Sequence, residues 1–219
     1  MKITVLLIFL SWSSAAIGQQ LSNRQFSYGI TLGANVQTLN IGVIRSSPSD
    51  PYALPGRPGI GVETGFWGKW TILPAVQLRT ALSLSYSSNT IRFLSGDGQE
   101  TVRRYPFAEI ELPVHFLISS PLRRLPVRSI VLFGGRVSWN GASFPESAQV
   151  RLLPERLGLD LGIGAGFTWG KWEIQPEILY SFGVNNLHNF TNSAYDWAVG
   201  RILRDHFSFR LVLGKTRSD

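Results

Sequence analysis

Apolar and polar residues alternate with a period of two along much of this chain. In residues 26–36 every even position is apolar and every odd position is small or polar. Successive side chains of a β-strand point to opposite faces, so this pattern predicts a strand with one apolar face. The same alternation occurs in residues 75–86, 108–118, 157–169, 172–182 and 207–213.

Two weaker segments bring the number of predicted strands to eight. They are Ile60–Trp67 and Val127–Ser138. In the second segment the phase is undefined, because the apolar residues occupy consecutive positions from Ile130 to Phe133.

The connections between the predicted strands alternate between long and short. Short turns on one side and long loops on the other, with an even number of strands, are typical of a bacterial outer-membrane barrel, where the short turns are periplasmic. The sequence therefore predicts an all-β, eight-stranded antiparallel transmembrane up-and-down β-barrel with long extracellular loops. The long connections are Gln37–Gly59, Ser88–Arg104, Asn140–Arg156 and Asn185–Arg204, and the short ones are Trp67–Trp70, Ser119–Pro126 and Trp169–Trp172.

Two of the short turns are near-copies of each other, each a Trp-Gly-Lys-Trp sequence. A Gly-Lys pair suits a two-residue type II′ loop, in which glycine takes the positive φ. We expect the flanking residues Trp67, Trp70, Trp169 and Trp172 to form an aromatic belt at the membrane interface. In the first copy, Phe66 and Trp67 would then both face outward, which requires a β-bulge near Gly65.

The faces opposite the apolar ones decide which side of the barrel meets lipid. They carry small residues and nine ionisable ones, and a carboxylate in hydrocarbon is costly. Small residues also fit the narrow interior of an eight-stranded barrel. We therefore predict an apolar exterior and an internal charge network, with Arg79 and Arg210 as the cations beside Glu109 and Glu111. The predicted network consists of Glu63, Arg79, Glu109, Glu111, His115, Asp160, Glu173, Glu177 and Arg210.

The N-terminus predicts export. Met1-Lys2 supplies a positive start, Ile3–Leu10 is an unbroken run of apolar and β-branched residues, and Ala16-Ile17-Gly18 places small side chains before a cleavage site. These features are typical of a secretory signal peptide, here residues 1–18, which leaves residues 19–219 as the barrel domain. The apolar run is too short to cross a bilayer of about 30 Å as a helix. The chain has no cysteine, which excludes disulfides, thiolate metal sites and a lipid-anchored N-terminus.

Composition and charge agree with an exported barrel. The chain has 12% aromatic residues, 22 glycines and only 16% charged residues, a mixture rich in strand and turn formers. Its net charge is +7, and the arginines of the predicted loops lack the interleaved aromatic residues of a nucleic-acid surface. We interpret these arginines as contacts to anionic lipid headgroups or lipopolysaccharide, the alternative being a solvated surface. They are Arg45, Arg57, Arg103, Arg104, Arg123, Arg124, Arg151, Arg156, Arg201 and Arg204.

Few residues suggest chemistry. Glu109 and Glu111 would lie about 7 Å apart on one strand face, a spacing that suits acid-base catalysis, but pairing within the charge network is the favoured interpretation. His115, His188 and His206 show no metal-ligand spacing. We therefore predict neither an enzyme nor a cofactor or metal. A lipid-modifying enzyme with a Ser/His/Glu set near the outer rim and a surface adhesin are the alternatives.

Two segments carry a resemblance to a known family. Phe107–Val114, with the sequence FAEIELPV, resembles the aromatic-Glu-Ile-Pro-Leu strand of the PorT-like outer-membrane β-barrel family of Bacteroidetes, although here Glu111-Leu112 precedes the proline. Glu177–Leu187 is similar to the penultimate strand of that family, and the glycine-rich Leu161–Phe167 also fits.

The resemblance extends over nearly the whole mature chain. It implies an eight-stranded barrel and an accessory role in type IX secretion and gliding motility. It brings no catalytic residues. The partners that it implies are other proteins of the secretion machinery, which would dock on the large outer loops Gln37–Gly59 and Asn185–Arg204.

Overall fold

The computed structural model describes residues 26–43, 52–73, 75–95, 97–120, 127–142, 150–190 and 199–215. The predicted signal peptide, residues 1–18, lies outside these ranges. Within them, no helix is both long and apolar enough to cross a bilayer. The strands are β1 (Phe26–Val43), β2 (Tyr52–Pro55), β3 (Gly59–Leu73), β4 (Val76–Leu94), β5 (Glu100–Ser119), β6 (Val127–Asn140), β7 (Arg151–Leu152), β8 (Glu155–Trp169), β9 (Trp172–Gly183), β10 (His188–Asn189) and β11 (Val199–Lys215).

Eight of these strands close into a ring. The hydrogen-bonded order is β4-β3-β1-β11-β9-β8-β6-β5, and β5 pairs back onto β4. Every pair in the ring is antiparallel. The predicted eight-stranded antiparallel barrel is therefore confirmed. Of the three short strands, β2 pairs with β4, while β7 and β10 form a separate two-stranded sheet.

The outer surface of the ring is apolar. On β5 the even positions from Ile110 to Ile118 are 41–50% exposed, whereas the odd positions from Glu109 to Leu117 are buried. Large apolar side chains normally face the interior of a water-soluble protein, so this arrangement is inverted. On β11 the apolar outer face lies between Asp205 and Lys215. Ten residues span about 33 Å along a strand and about 25 Å along a tilted barrel axis, which matches the apolar band of membrane barrels.

Hydrogen bonds mark the upper edge of this band. The Asp205 carboxylate accepts hydrogen bonds from Asn40 Nδ2 at 2.7 Å and from the Tyr180 hydroxyl at 2.9 Å. Beyond this edge the strands continue toward the long-connection end. There the inner face becomes apolar and forms a cluster of Leu39, Ala53, Ile91, Phe93, Tyr105, Phe107, Val150, Leu152, Leu187, Val199 and Ile202.

A second apolar cluster on the inner face settles the phase of β6. Ile130 and Leu132 point inward and pack with Leu117 and Leu179, whereas Val131 and Phe133 point outward.

The prediction of a turn at the first Trp-Gly-Lys-Trp sequence is wrong. Strand β3 continues through this sequence to Leu73, and its register with β1 is unbroken from Trp70 to Gly59, so there is no bulge at Gly65. Residues 67 and 69 therefore face the lumen, where both side chains have partners that a turn would remove. The second turn forms as predicted: Trp169 pairs with Trp172, and Gly170 has a φ of +60°.

Several predicted long loops are largely strand. Residues 88–95 and 97–104 belong to a paired hairpin in which Ser88 faces Pro106 and Leu94 faces Glu100, and the Ser95 N–H donates to the Gln99 carbonyl. Residues 37–43 belong to β1 and residues 199–204 belong to β11. These extensions are ordered because their inward side chains build the apolar cluster above the membrane band.

Candidate functional site: the charged lumen

All nine residues of the predicted charge network point into the barrel. Eight of them are buried, at most 4% exposed, and the Glu173 side chain is 16% exposed. Five further ionisable side chains share the lumen, namely Lys69, Arg136, Arg156, Arg204 and His206.

Arg79 on β4 and Glu177 on β9 form the ion pair with the best geometry. The two guanidinium nitrogens donate to the two carboxylate oxygens at 2.6 and 2.7 Å, and the side chains are 4% and 0% exposed. The predicted pairing of Arg79 with Glu109 or Glu111 is wrong. That prediction assumed partners on the neighbouring strand, but side chains in a narrow barrel point to the axis and meet across it.

Arg136 on β6 joins three strands. It donates to Glu111 Oε2 on β5 at 2.5 Å and to Asp160 Oδ2 on β8 at 3.0 and 3.1 Å. His115 Nε2 lies 2.7 Å from the same Asp160 oxygen. The sequence pattern missed Arg136, because the consecutive apolar residues of β6 hid which of its faces is internal.

Arg210 and Glu63 form a pair that spans an intervening strand. Arg210 on β11 and Glu63 on β3 both lie opposite Gly33 on β1, and Arg210 donates to both oxygens of Glu63. A Cβ atom at Gly33 would lie 2.8 Å from Glu63 Oε1 and 2.8 Å from the Phe209 carbonyl oxygen. The absence of a side chain at position 33 is therefore what allows these two residues to meet.

Two arginines that were predicted to face lipid headgroups lie in the lumen instead. Arg204 donates to Glu109 and its guanidinium lies 4.2 Å from the centre of the Phe107 ring. Arg156 donates to Ser181 Oγ at 2.9 Å and to the Arg204 carbonyl at 3.0 Å. Both were assigned to loops, but strands β8 and β11 begin early enough to include them.

The other predicted headgroup arginines divide into two groups. Those within the described residues are exposed: Arg57, Arg103, Arg104, Arg151 and Arg201. The remaining three, Arg45, Arg123 and Arg124, lie outside the described residues.

Among the described lumen side chains that are buried or half-buried, cations and carboxylates are equal in number. The cations are Lys69, Arg79, Arg136, Arg156, Arg204 and Arg210, and the carboxylates are Glu63, Glu109, Glu111, Asp160, Glu173 and Glu177. Lys69 completes the set of pairs, with its Nζ 2.7 and 2.8 Å from the Glu173 oxygens. Burying charges is tolerated when each has a hydrogen-bonded partner. The arrangement therefore fills the lumen with ion pairs, in which Arg136 binds Glu111 and Arg204 binds Glu109.

One group in the lumen has the donor atoms of a metal site. Single ligand atoms of Glu63, Glu111 and His206 lie within 4.8 Å of one another, and His206 Nε2 is 3.3 Å from Glu63 Oε2. Carboxylate and imidazole ligands suit zinc. Here, however, Glu63 and Glu111 already accept hydrogen bonds from Arg210 and Arg136, cations that would repel a metal ion. Sequence spacing gave no sign of this group, because ring closure brings together residues that are far apart in the chain.

The four tryptophans of the predicted aromatic belt do not share one face. Trp169 and Trp172 are 78% and 58% exposed on the outer surface, and Trp70 packs against Phe26 there with ring centres 5.1 Å apart. The predicted position of Trp67 on the outer surface is wrong. Its side chain is 5% exposed, and its indole N–H donates to the Ile30 carbonyl at 3.1 Å.

The Trp67 ring fits inside the barrel because the residue beside it, Gly214, has no side chain. A Cβ atom at Gly214 would lie 2.4 Å from the Trp67 ring. Two sequence signals indicate this site, the unbroken alternation of β3 and the glycine on the inner face of β11.

Comparisons with known proteins give the fold but no family. No family model matches the sequence, and no curated protein matches it. The outer membrane protein OprG from Pseudomonas aeruginosa is similar in structure, with a TM-score of 0.53 and 7% identity over 90% of this chain and 96% of that one. Neisserial surface protein A has a TM-score of 0.48 and 8% identity over 87% and 97% of the two chains.

The closed ring, the apolar outer band and the charged interior have one physical explanation. A band of exposed apolar side chains about 25 Å tall is stable in lipid, and only a closed sheet satisfies its backbone there. The likeness to OprG shows the same fold. The chain is an outer-membrane β-barrel protein.

Proposed function

We propose that this protein is a non-enzymatic, closed barrel that acts as an accessory component of an envelope machine, namely the type IX secretion and gliding apparatus. The packed lumen is the observation that supports a closed, non-enzymatic barrel. Ion pairs fill its middle, and an apolar cluster covers its extracellular end. An interior of this width is filled by side chains and leaves no path for a solute. The protein then acts through its outer surfaces.

The surface offered to partners is the extracellular cap, which we define as the β4–β5 hairpin of residues 88–106 together with β2, β7 and β10. The hairpin carries the exposed residues Arg103 and Arg104 and an ion pair between Arg92 and Glu100, with Nε–Oε1 at 2.6 Å. Of the predicted docking loops, only residues 44–58 and 185–198 remain as connections between barrel strands, and residues 44–51 and 191–198 lie outside the described residues.

The secretion role is supported by the resemblance to the PorT-like family. In this barrel, the glutamates of the two segments that resemble the PorT-like family form ion pairs in the lumen. Glu109 and Glu111 bind Arg204 and Arg136, respectively. Glu177 binds Arg79. The motifs thus coincide with positions that stabilise a closed eight-stranded barrel. These shared motifs support the same accessory role for this barrel.

The absence of enzymatic activity is supported by where the histidines lie. His115 and His206 are each 1% exposed and are surrounded by charged lumen residues. Neither can reach a lipid substrate at the rim of the barrel. The third histidine, His188, lies in the short strand β10 of the extracellular cap.

Deletion and complementation test the proposal. Deleting the gene should block export of type IX cargo into the medium, and wild-type protein should restore it. A variant with Arg103→Glu and Arg104→Glu changes only exposed hairpin residues and should fail to restore export while still forming a heat-modifiable barrel. Lys171→Glu, a single charge reversal in the exposed periplasmic turn, is the control and should restore export.

Three outcomes would contradict the proposal. Normal cargo export after deletion rejects the secretion role. A change in lipid A mass spectra on deletion indicates a lipid-modifying enzyme. Loss of surface binding with intact secretion indicates an adhesin.

A further inference from the structure

An open cleft of about 720 Å³ lies on the outer surface at the short-turn end of the barrel. It crosses five neighbouring strands of the ring, from β3 through β1, β11 and β9 to β8. The side chains that shape it are Tyr28, Phe66, Trp169, Trp172, Leu213 and Lys215, and the backbone of Gly29 and Gly214 contributes to its floor.

Sheet register places a single cation in the middle of an aromatic row. Lys215 lies opposite Tyr28 on one side and opposite Trp172 on the other, and Trp172 lies opposite Trp169. Neighbouring members of such a row are about 4.8 Å apart. Lys215 is exposed, and no described carboxylate pairs with it. Among the described residues, the cleft therefore has a positive charge between aromatic side chains and no carboxylate paired with it.

The next row toward the centre of the apolar band contains no polar group. Ile30 lies opposite Phe66 and Leu213, and Leu213 lies opposite Ile174. Aromatic residues favour the interface between headgroups and hydrocarbon. The cleft thus passes from a cationic, aromatic end to an apolar end in the same direction as a lipid passes from headgroup to acyl chain.

We propose that this cleft is a binding site for one glycerophospholipid of the periplasmic leaflet. The lipid phosphate contacts Lys215, its glycerol ester region lies between Tyr28 and Trp172, and an acyl chain lies along Leu213. The leaflet follows from the position of the cleft, because short turns of outer-membrane barrels are periplasmic.

A second outer cleft serves as an internal comparison. It has a volume of about 640 Å³, lies beside Leu32, Val62 and Ile110, and has no cation in its lining. A lipid tail can occupy it, but no cation in its lining favours a phosphate headgroup over an uncharged one. Of these two clefts, only the one at Lys215 has a cation that favours phosphate.

The test measures lipid binding to the purified barrel in lipid-free detergent by native mass spectrometry. Dioleoylphosphatidylglycerol should bind one to one and about fivefold more tightly than dioleoylglycerol, the gain expected of one interfacial lysine. Lys215→Gln should remove this difference. Leu213→Trp should weaken binding of both lipids by filling the apolar end. Lys171→Gln, which neutralises the neighbouring lysine outside the cleft, should change neither affinity.

Each opposite result overturns the site. Equal affinity of the wild-type barrel for the two lipids would show that Lys215 does not bind phosphate. An equal loss in Lys171→Gln and Lys215→Gln would show a general surface charge effect. Tighter binding of lipid A than of phosphatidylglycerol at this cleft would refute the assignment to the periplasmic leaflet. Heat-modifiable migration of each variant confirms that it is folded.

Discussion

The Arg79–Glu177 pair is the most informative place to perturb the lumen. Replacing Arg79 with Met keeps most of the side-chain volume but leaves the Glu177 carboxylate buried, at 0% exposed, without its bidentate partner. We therefore expect Arg79→Met to lower the free energy of unfolding substantially. The reverse change, Glu177→Gln, leaves a buried guanidinium without its anion and should have a similar effect.

Removing one member of a buried ion pair typically costs about 3 to 5 kcal/mol, whereas replacing both members can be nearly neutral. The geometry here favours the upper part of that range, because both hydrogen bonds are short, at 2.6 and 2.7 Å. The double variant Arg79→Met/Glu177→Gln should therefore recover most of the loss from either single variant. The interaction energy in this double-mutant cycle should exceed about 1 kcal/mol, the upper end of exposed pairs.

Equilibrium unfolding in urea, followed by tryptophan fluorescence in lipid vesicles, measures these differences. Arg92→Met removes an exposed ion pair, with side chains 44% and 39% accessible, and should leave the midpoint unchanged. A cycle between Arg79 and Glu109 should show no coupling, because Glu109 binds Arg204 instead. Unchanged stability in Arg79→Met, or coupling of Arg79 to Glu109 but not to Glu177, would refute the arrangement of the lumen.

Three further changes test other parts of the interior. Arg136→Met should destabilise the barrel more than Arg79→Met, because both Glu111 and Asp160 lose their cation; unfolding midpoints decide this. Gly33→Ala should cost about 1 to 3 kcal/mol by overpacking, since its Cβ would lie 2.8 Å from Glu63 Oε1; an unchanged midpoint contradicts the close approach. Trp67→Ala should lower the free energy of unfolding by about 3 to 5 kcal/mol, because it leaves a cavity. In the wild-type barrel, brominated lipid should quench the fluorescence of Trp172 but not that of Trp67.

The sequence predicted the fold from local information. Alternation in β5, β8 and β9 identifies both the strands and their inner faces, because a residue's face depends only on its position along its own strand. For the same reason Glu109, Glu177 and Arg210 were placed in the lumen correctly.

The partners of these residues could not be predicted in the same way. Which side chains meet across a barrel depends on ring closure and strand stagger, which no single strand encodes. Arg79 therefore received the wrong partner, and Arg136 was missed where β6 has apolar residues on both faces. Trp67 shows a further limit, since a turn sequence can be overridden when its side chains have buried partners.

The central claim is that lipid surrounds an apolar exterior while the lumen is filled by ion pairs. The natural chain has no cysteine, so single cysteines along β5 from residue 108 to 117 can each carry a spin label. In lipid vesicles, the labels at even positions should be accessible to oxygen and shielded from a water-soluble nickel complex, whereas the buried odd positions should be shielded from both. Access of the nickel complex to the even positions, or to the odd ones, would contradict the claim.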